Sequence, residues 1–117
     1  MKKNLLLFFT ALSLLSCEAI FVENISDKKI TVVSPVDKIE LSEAKVVFAW
    51  NEIADTDVYR LRVATPDFKN AAKIVLDTTI TKSMFTKELT TGSYEWSIIG
   101  KNSDYETLET VSSFVIK

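Results

Sequence analysis

The amino-acid sequence predicts an all-β fold, a seven-stranded antiparallel β-sandwich, and three observations carry that expectation. From Lys29 onward, apolar and polar residues alternate over short runs, the period of two that marks strands rather than helices. Turn-forming residues such as Ser34-Pro35 separate the runs, as in a sandwich of short strands. The chain is 47% hydrophobic and 26% charged with only 2 Gly and 2 Pro, so it has the apolar content for one core and is neither disordered nor collagen-like.

In order, Ile30 to Val33 reads as a strand that stops at Ser34-Pro35. Ala44 to Trp50 sets Val46, Phe48 and Trp50 on one face. Val58 to Thr65 sets Tyr59, Leu61 and Val63 inward, with Arg60 and Arg62 opposite. Lys73 to Asp77 pairs Ile74 with Leu76, and Ser83 to Leu89 carries Phe85 and Leu89. Tyr94 to Lys101 aligns Tyr94, Trp96, Ile98 and Gly100, and Thr110 to Lys117 aligns Ser112, Phe114 and Ile116. Helix is least excluded at 67–73, where one turn could form.

Composition removes several chemistries. With no His and 1 Cys, imidazole catalysis, most zinc sites and an internal disulfide are excluded. A net charge of −2 without a basic cluster argues against nucleic acid as a partner. Gly92 and Gly100 alone cannot build a phosphate cradle, and no cofactor is expected. Asp55-Thr56-Asp57 begins like a calcium loop, but Tyr59 and Leu61 follow where oxygen ligands are needed and no glycine makes the turn. The 16 acidic residues are scattered, and nothing singles out a catalytic pair, so no enzyme is expected.

Trp50 and Trp96 resemble sugar-stacking residues in type only, because their strand neighbours place both in the core. Asn24-Ile25-Ser26 fits the glycosylation acceptor pattern and is read as chance. Phe68 is expected to fold back and plug one end of the sandwich. The surface candidate is the loop 101–107, where Tyr105 lies between Asp104 and Glu106 and is expected to face solvent. An ordinary polar hairpin is the alternative for that loop.

The N-terminus has a different character. Lys2 and Lys3 precede Leu5 to Leu15, apolar except for Thr10 and Ser13. That run is too short for a membrane span of roughly 20 residues and is the length of a signal-peptide core. It ends in Leu14-Leu15-Ser16-Cys17, which resembles the bacterial lipobox, and Cys17 is the only cysteine. The resemblance implies a signal helix at 1–16 removed by cleavage, acyl chains on Cys17, and attachment to the outer membrane or cell surface by lipid. An ordinary cleaved secretory peptide and a short transmembrane anchor are the alternatives. Residues 17–28 would then be a lipidated tether and 29–117 the sandwich. Ile20, Phe21 and Val22 are unusual in a tether, and are read as lying in the membrane interface in preference to adding a strand.

Three stretches carry a second resemblance. Val46-Val-Phe-Ala-Trp50, Val58-Tyr-Arg-Leu-Arg-Val63 and Leu89-Thr-Thr-Gly-Ser-Tyr-Glu-Trp-Ser-Ile-Ile-Gly-Lys-Asn102 are similar to strands of the fibronectin type III domain. The resemblance implies that Tyr94 is a corner tyrosine whose hydroxyl bonds back to the preceding turn. Its strand order implies that the chain enters at the pole carrying loops 51–57, 78–82 and 101–107, with loops 36–44, 65–72 and 90–93 pointing away. The functional expectation is a membrane-anchored interaction or accessory module that meets partners at the far pole or a sheet edge. A carbohydrate-binding surface lipoprotein of a glycan-uptake system is the alternative, and the protein or glycan partner itself is not legible.

Overall fold

The computed structural model describes residues 21–117, so the signal segment and Cys17 lie outside the described residues. Eight strands form, one more than expected: β1 (Val32–Ser34), β2 (Ile39–Leu41), β3 (Lys45–Trp50), β4 (Val58–Thr65), β5 (Lys73–Ile80), β6 (Met84–Glu88), β7 (Gly92–Lys101) and β8 (Thr110–Ile116). The additional strand is β2. Its three residues show one step of alternation, too little to separate from a loop, and it forms because it pairs in parallel with β8. The strands make two sheets, β1-β3-β6 and β2-β8-β7-β4-β5. No helical turn forms at 67–73, which is turn and bend leading into β5.

Strand β5 runs three residues beyond the expected end at Asp77. Thr78, Thr79 and Ile80 continue the ladder against Leu61, Arg60 and Tyr59 of β4. Threonine suits a strand as well as a turn, because its branched Cβ packs on a pleated surface; here the neighbouring strand decides.

Period-two burial is clearest in β3 and β4. Val46, Phe48 and Trp50 point inward, as do Tyr59, Leu61 and Val63. The two layers are joined by aromatic contacts. Phe48 of the small sheet meets Trp96 edge-on at 5.2 Å and Phe114 at 5.9 Å. Trp50 meets Tyr59 at 5.6 Å, and Tyr94 stacks on Phe114 at 5.3 Å. Such pairs contribute about 0.5–1.5 kcal/mol each beyond area burial, so the centre of the sandwich is an aromatic cluster bridging the sheets.

One side of the sandwich is sealed by the chain itself. Ile25 is fully buried, so packing reaches upstream of residue 29 into the stretch read as tether. Leu108 N donates to Lys28 O, and the Thr110 hydroxyl donates to Ile30 O at 2.8 Å. β1 and β2 then lie in different sheets, so the link between them crosses the seam. On the opposite side, β5 and β6 end their respective sheets, and among the described residues no strand covers either.

Candidate functional site

The pole where the chain enters is organised by Asn102. Its side-chain amide donates to Glu23 O at 2.9 Å and to Asp55 O at 3.1 Å. Its Oδ1 accepts from Asp104 N and Tyr105 N at 3.1 and 2.8 Å. One amide thus holds three segments: the incoming chain, the β3–β4 loop and the β7–β8 loop. Glu23 is at the pole expected for the chain's entry.

The expectation that Tyr105 faces solvent is corrected. Tyr105 is half-buried, because the four hydrogen bonds of Asn102 fold its loop back onto the domain. Asp104 and Glu106 are exposed on either side, and Glu106 pairs with Lys101 at 3.1 Å. Beside them Gly100 is required by space: a Cβ there would lie 2.9 Å from Thr56 Cγ2 and 3.2 Å from Thr107 Cγ2. The Thr107 hydroxyl accepts from Gly100 N and donates to Leu108 O. This loop is braced as part of the fold.

At the far pole the Tyr94 hydroxyl donates to Thr90 O at 2.7 Å, the bond that the family resemblance implies. Asp37 Oδ1 accepts from Ser113 N at 2.9 Å, which lowers its pKa below the ordinary 3.8 and ties the β1–β2 link to β8. Phe68 does not plug the end of the sandwich. It lies on the outer face of the large sheet, where the Arg62 guanidinium sits 4.9 Å from its ring centroid and Glu95 accepts a bond from its backbone N–H. A cation over an aromatic face is favourable, so Arg62 offers Phe68 a surface that the filled core does not.

Three features bear on chemistry. Both indoles face inward, Trp50 at 3% exposure and Trp96 at 0%, so neither offers a stacking platform. Asp77, paired with Arg60 through two hydrogen bonds, also has its pKa lowered, chiefly by that bond. Lowering is the opposite of what a general acid needs at neutral pH. Among the described residues no three acidic or sulfur side chains gather as metal ligands.

Two shallow grooves bear on binding. One of about 370 Å³ at the far pole is mixed in character, with Lys38, Glu40, Asp67 and Glu95 on its walls beside Tyr94 and Phe114. The other, about 380 Å³, opens at the uncovered seam between β5 and β6 and is mainly apolar, lined by Val58, Ile80, Met84 and Phe85 with Thr79 and Lys82. A sheet edge is among the expected partner surfaces, and no residue pattern singles out this one. Val58, Met84 and Phe85 look like ordinary strand residues while Thr79, Ile80 and Lys82 fall in the stretch 78–82 read as a loop, and the exposure follows from two strands ending their sheets.

No family model matches the chain, and no curated protein does. Solved structures are similar in fold. The fibronectin(III)-like modules of Clostridium thermocellum CbhA superpose with a TM-score of 0.54 at 10% identity, covering 76% of this chain and 96% of that one. The fibronectin type III domain of human KIAA0970 gives 0.52 at 11%, covering 81% and 74%. A structure described as FN3tt mut gives 0.52 at 12%, covering 75% and 90%. The described residues form a single fibronectin type III-like β-domain.

Proposed function

We propose that this protein is a bacterial lipoprotein whose sandwich acts as a non-enzymatic interaction or accessory module. The observation that carries the module reading is the filled interior: among the described residues the aromatic cluster occupies the space between the sheets, and the two grooves described above are shallow. The similar solved structures support the same reading at the level of fold. The buried indoles weigh against the glycan-binding alternative.

Attachment is proposed through Cys17, on the support of the lipobox resemblance of Leu14 to Cys17. Two or three acyl chains at ~0.8 kcal/mol per buried methylene hold a protein on a bilayer durably. Glu23, which Asn102 pins to the domain, is six positions after Cys17. Such a stretch reaches at most ~20 Å, so the entry pole stays near the bilayer and the far pole points away.

The test is growth of the expressing cell with a labelled palmitate analogue. Label on the full chain, absent in Cys17→Ser and accompanied by loss of membrane fractionation, is expected. Membrane association of Cys17→Ser without label would overturn the anchor.

A further inference from the structure

We infer that the uncovered seam between β5 and β6 binds an extended peptide strand, apolar at alternate positions and flanked by carboxylates, by addition to the free edge of β5. The inference rests on the interaction-module reading and is independent of the lipid anchor.

The first observation is the edge itself. Of the four strands that end a sheet, β1 and β2 have three residues each and β6 has five, whereas β5 has eight. Natural sheets blunt long edges with proline, lysine, bulges or a covering segment. β5 contains no proline, and its lysine is at its first residue, Lys73. Its register shift falls at Val75, leaving Leu76 to Ile80 in unbroken pairing with β4. The outward side of that stretch presents backbone N–H and C=O groups to water in the regular spacing that another strand requires.

The second observation is the groove beside it. Strand addition derives affinity from main-chain hydrogen bonds and specificity from pockets that take every other side chain. Ile80, Met84, Phe85 and Val58 form such a pocket directly under the edge, and Met84 is 58% exposed within it. Side chains of an added strand that point toward the small sheet would fill it, while those on the other face would remain in water.

Charge selects the flanks. Among the described residues Lys73, Lys82 and Lys87 are in no ion pair, whereas Asp77, the acid of β5, is held by Arg60. Glu88, at the end of β6, lies across from Lys45 and is also in no ion pair, so among residues 73–88 the unpaired charges are three lysines and one glutamate. The seam is therefore locally cationic on a chain of net charge −2. A strand whose ends carry Asp or Glu meets complementary charge at Lys73 and Lys82.

The experiment uses the full chain in detergent and a synthetic probe of six alternating valine and threonine residues with two glutamates at each end. Backbone amide shifts confined to 73–85 and to Val58 beside them, with a Kd on the order of 100 µM or tighter, are expected. Met84→Asp should weaken the probe at least tenfold, and so should Lys73→Glu combined with Lys82→Glu. Replacing the probe's glutamates by lysines should restore binding to the charge-reversed variant.

Several results would overturn the inference: no shifts at about 1 mM probe, shifts mapping elsewhere, equal binding of both probes to the native chain, or self-association that Met84→Asp abolishes. A partner captured from membranes equally well by the native chain and by Met84→Asp would remove the seam as the site and leave the module reading standing.

Discussion

The two sides of this sandwich are finished differently. On one, the chain crosses between sheets and seals the seam: Ile25 and Ile30 are buried, Thr110 reaches Ile30 O, and Asp37 holds Ser113. On the other, β5 and β6 end their sheets with no described residue laid over them as a strand, and Ile74 and Met84 are exposed. Both sides are built from β-branched and apolar residues in alternation, so composition does not distinguish them. Connectivity does: the incoming chain and the β1–β2 link lie against one seam and bring backbone and side chains to it, whereas on the other side only residues 81–83 cross from β5 to β6, at one end.

The largest effect expected from breaking this contrast is on the sealed side. Ile30→Ala removes a side chain with 1% exposure that packs in the core cluster, and should cost about 2–4 kcal/mol of unfolding free energy in urea titration. Asn102→Ala comes next, at about 1–3 kcal/mol, because it deletes two donated and two accepted hydrogen bonds at one position. Hydrogen exchange at residues 23–28 should rise with it, and unchanged protection there would show that Ile25 alone holds the incoming chain.

Acid tests both sides together. Asp37 and Asp77 have folded-state pKa values below the ordinary 3.8. Each therefore contributes stability that is present above the unfolded value and lost as pH falls toward the folded one. Unfolding free energy should decline with falling pH below about 4, and Asp37→Asn should reduce that slope while leaving the acceptor for Ser113. The smallest effect is expected at the open seam. Met84→Asp alters an exposed position, so its stability should remain within about 0.5 kcal/mol of the native chain. A loss of 2 kcal/mol or more, on the order of a buried truncation, would mean that Met84 supports the core.

Seven strands and the inward direction of Trp50 and Trp96 were readable from alternation, because burial on one face leaves a period of two in the residues themselves. Strand β2 was not, since its partner lies some 75 positions away in β8 and three residues carry little pattern. Tyr105 misled for a related reason. Its acidic neighbours suggested solvent, but Asn102, three residues earlier, folds the loop back. Phe68, read as a plug for the sandwich end, packs instead beneath Arg62 on the outer face, a surface that belongs to another strand. The open seam left no trace, because exposure at an edge is a property of which strands end up last in their sheets.

By itself, then, the order of residues determined the strand-forming segments, their buried faces, the filled aromatic interior and the lipobox-like start. Each of these is local, resting on period, size and charge within a few neighbours. Only the tertiary structure decided that Asn102 would pin the incoming chain, that Asp37 would tie the first link to the last strand, and that β5 would be left with a free edge beside an apolar groove. Those depend on pairings between residues far apart in sequence, where geometry rather than composition settles which groups meet.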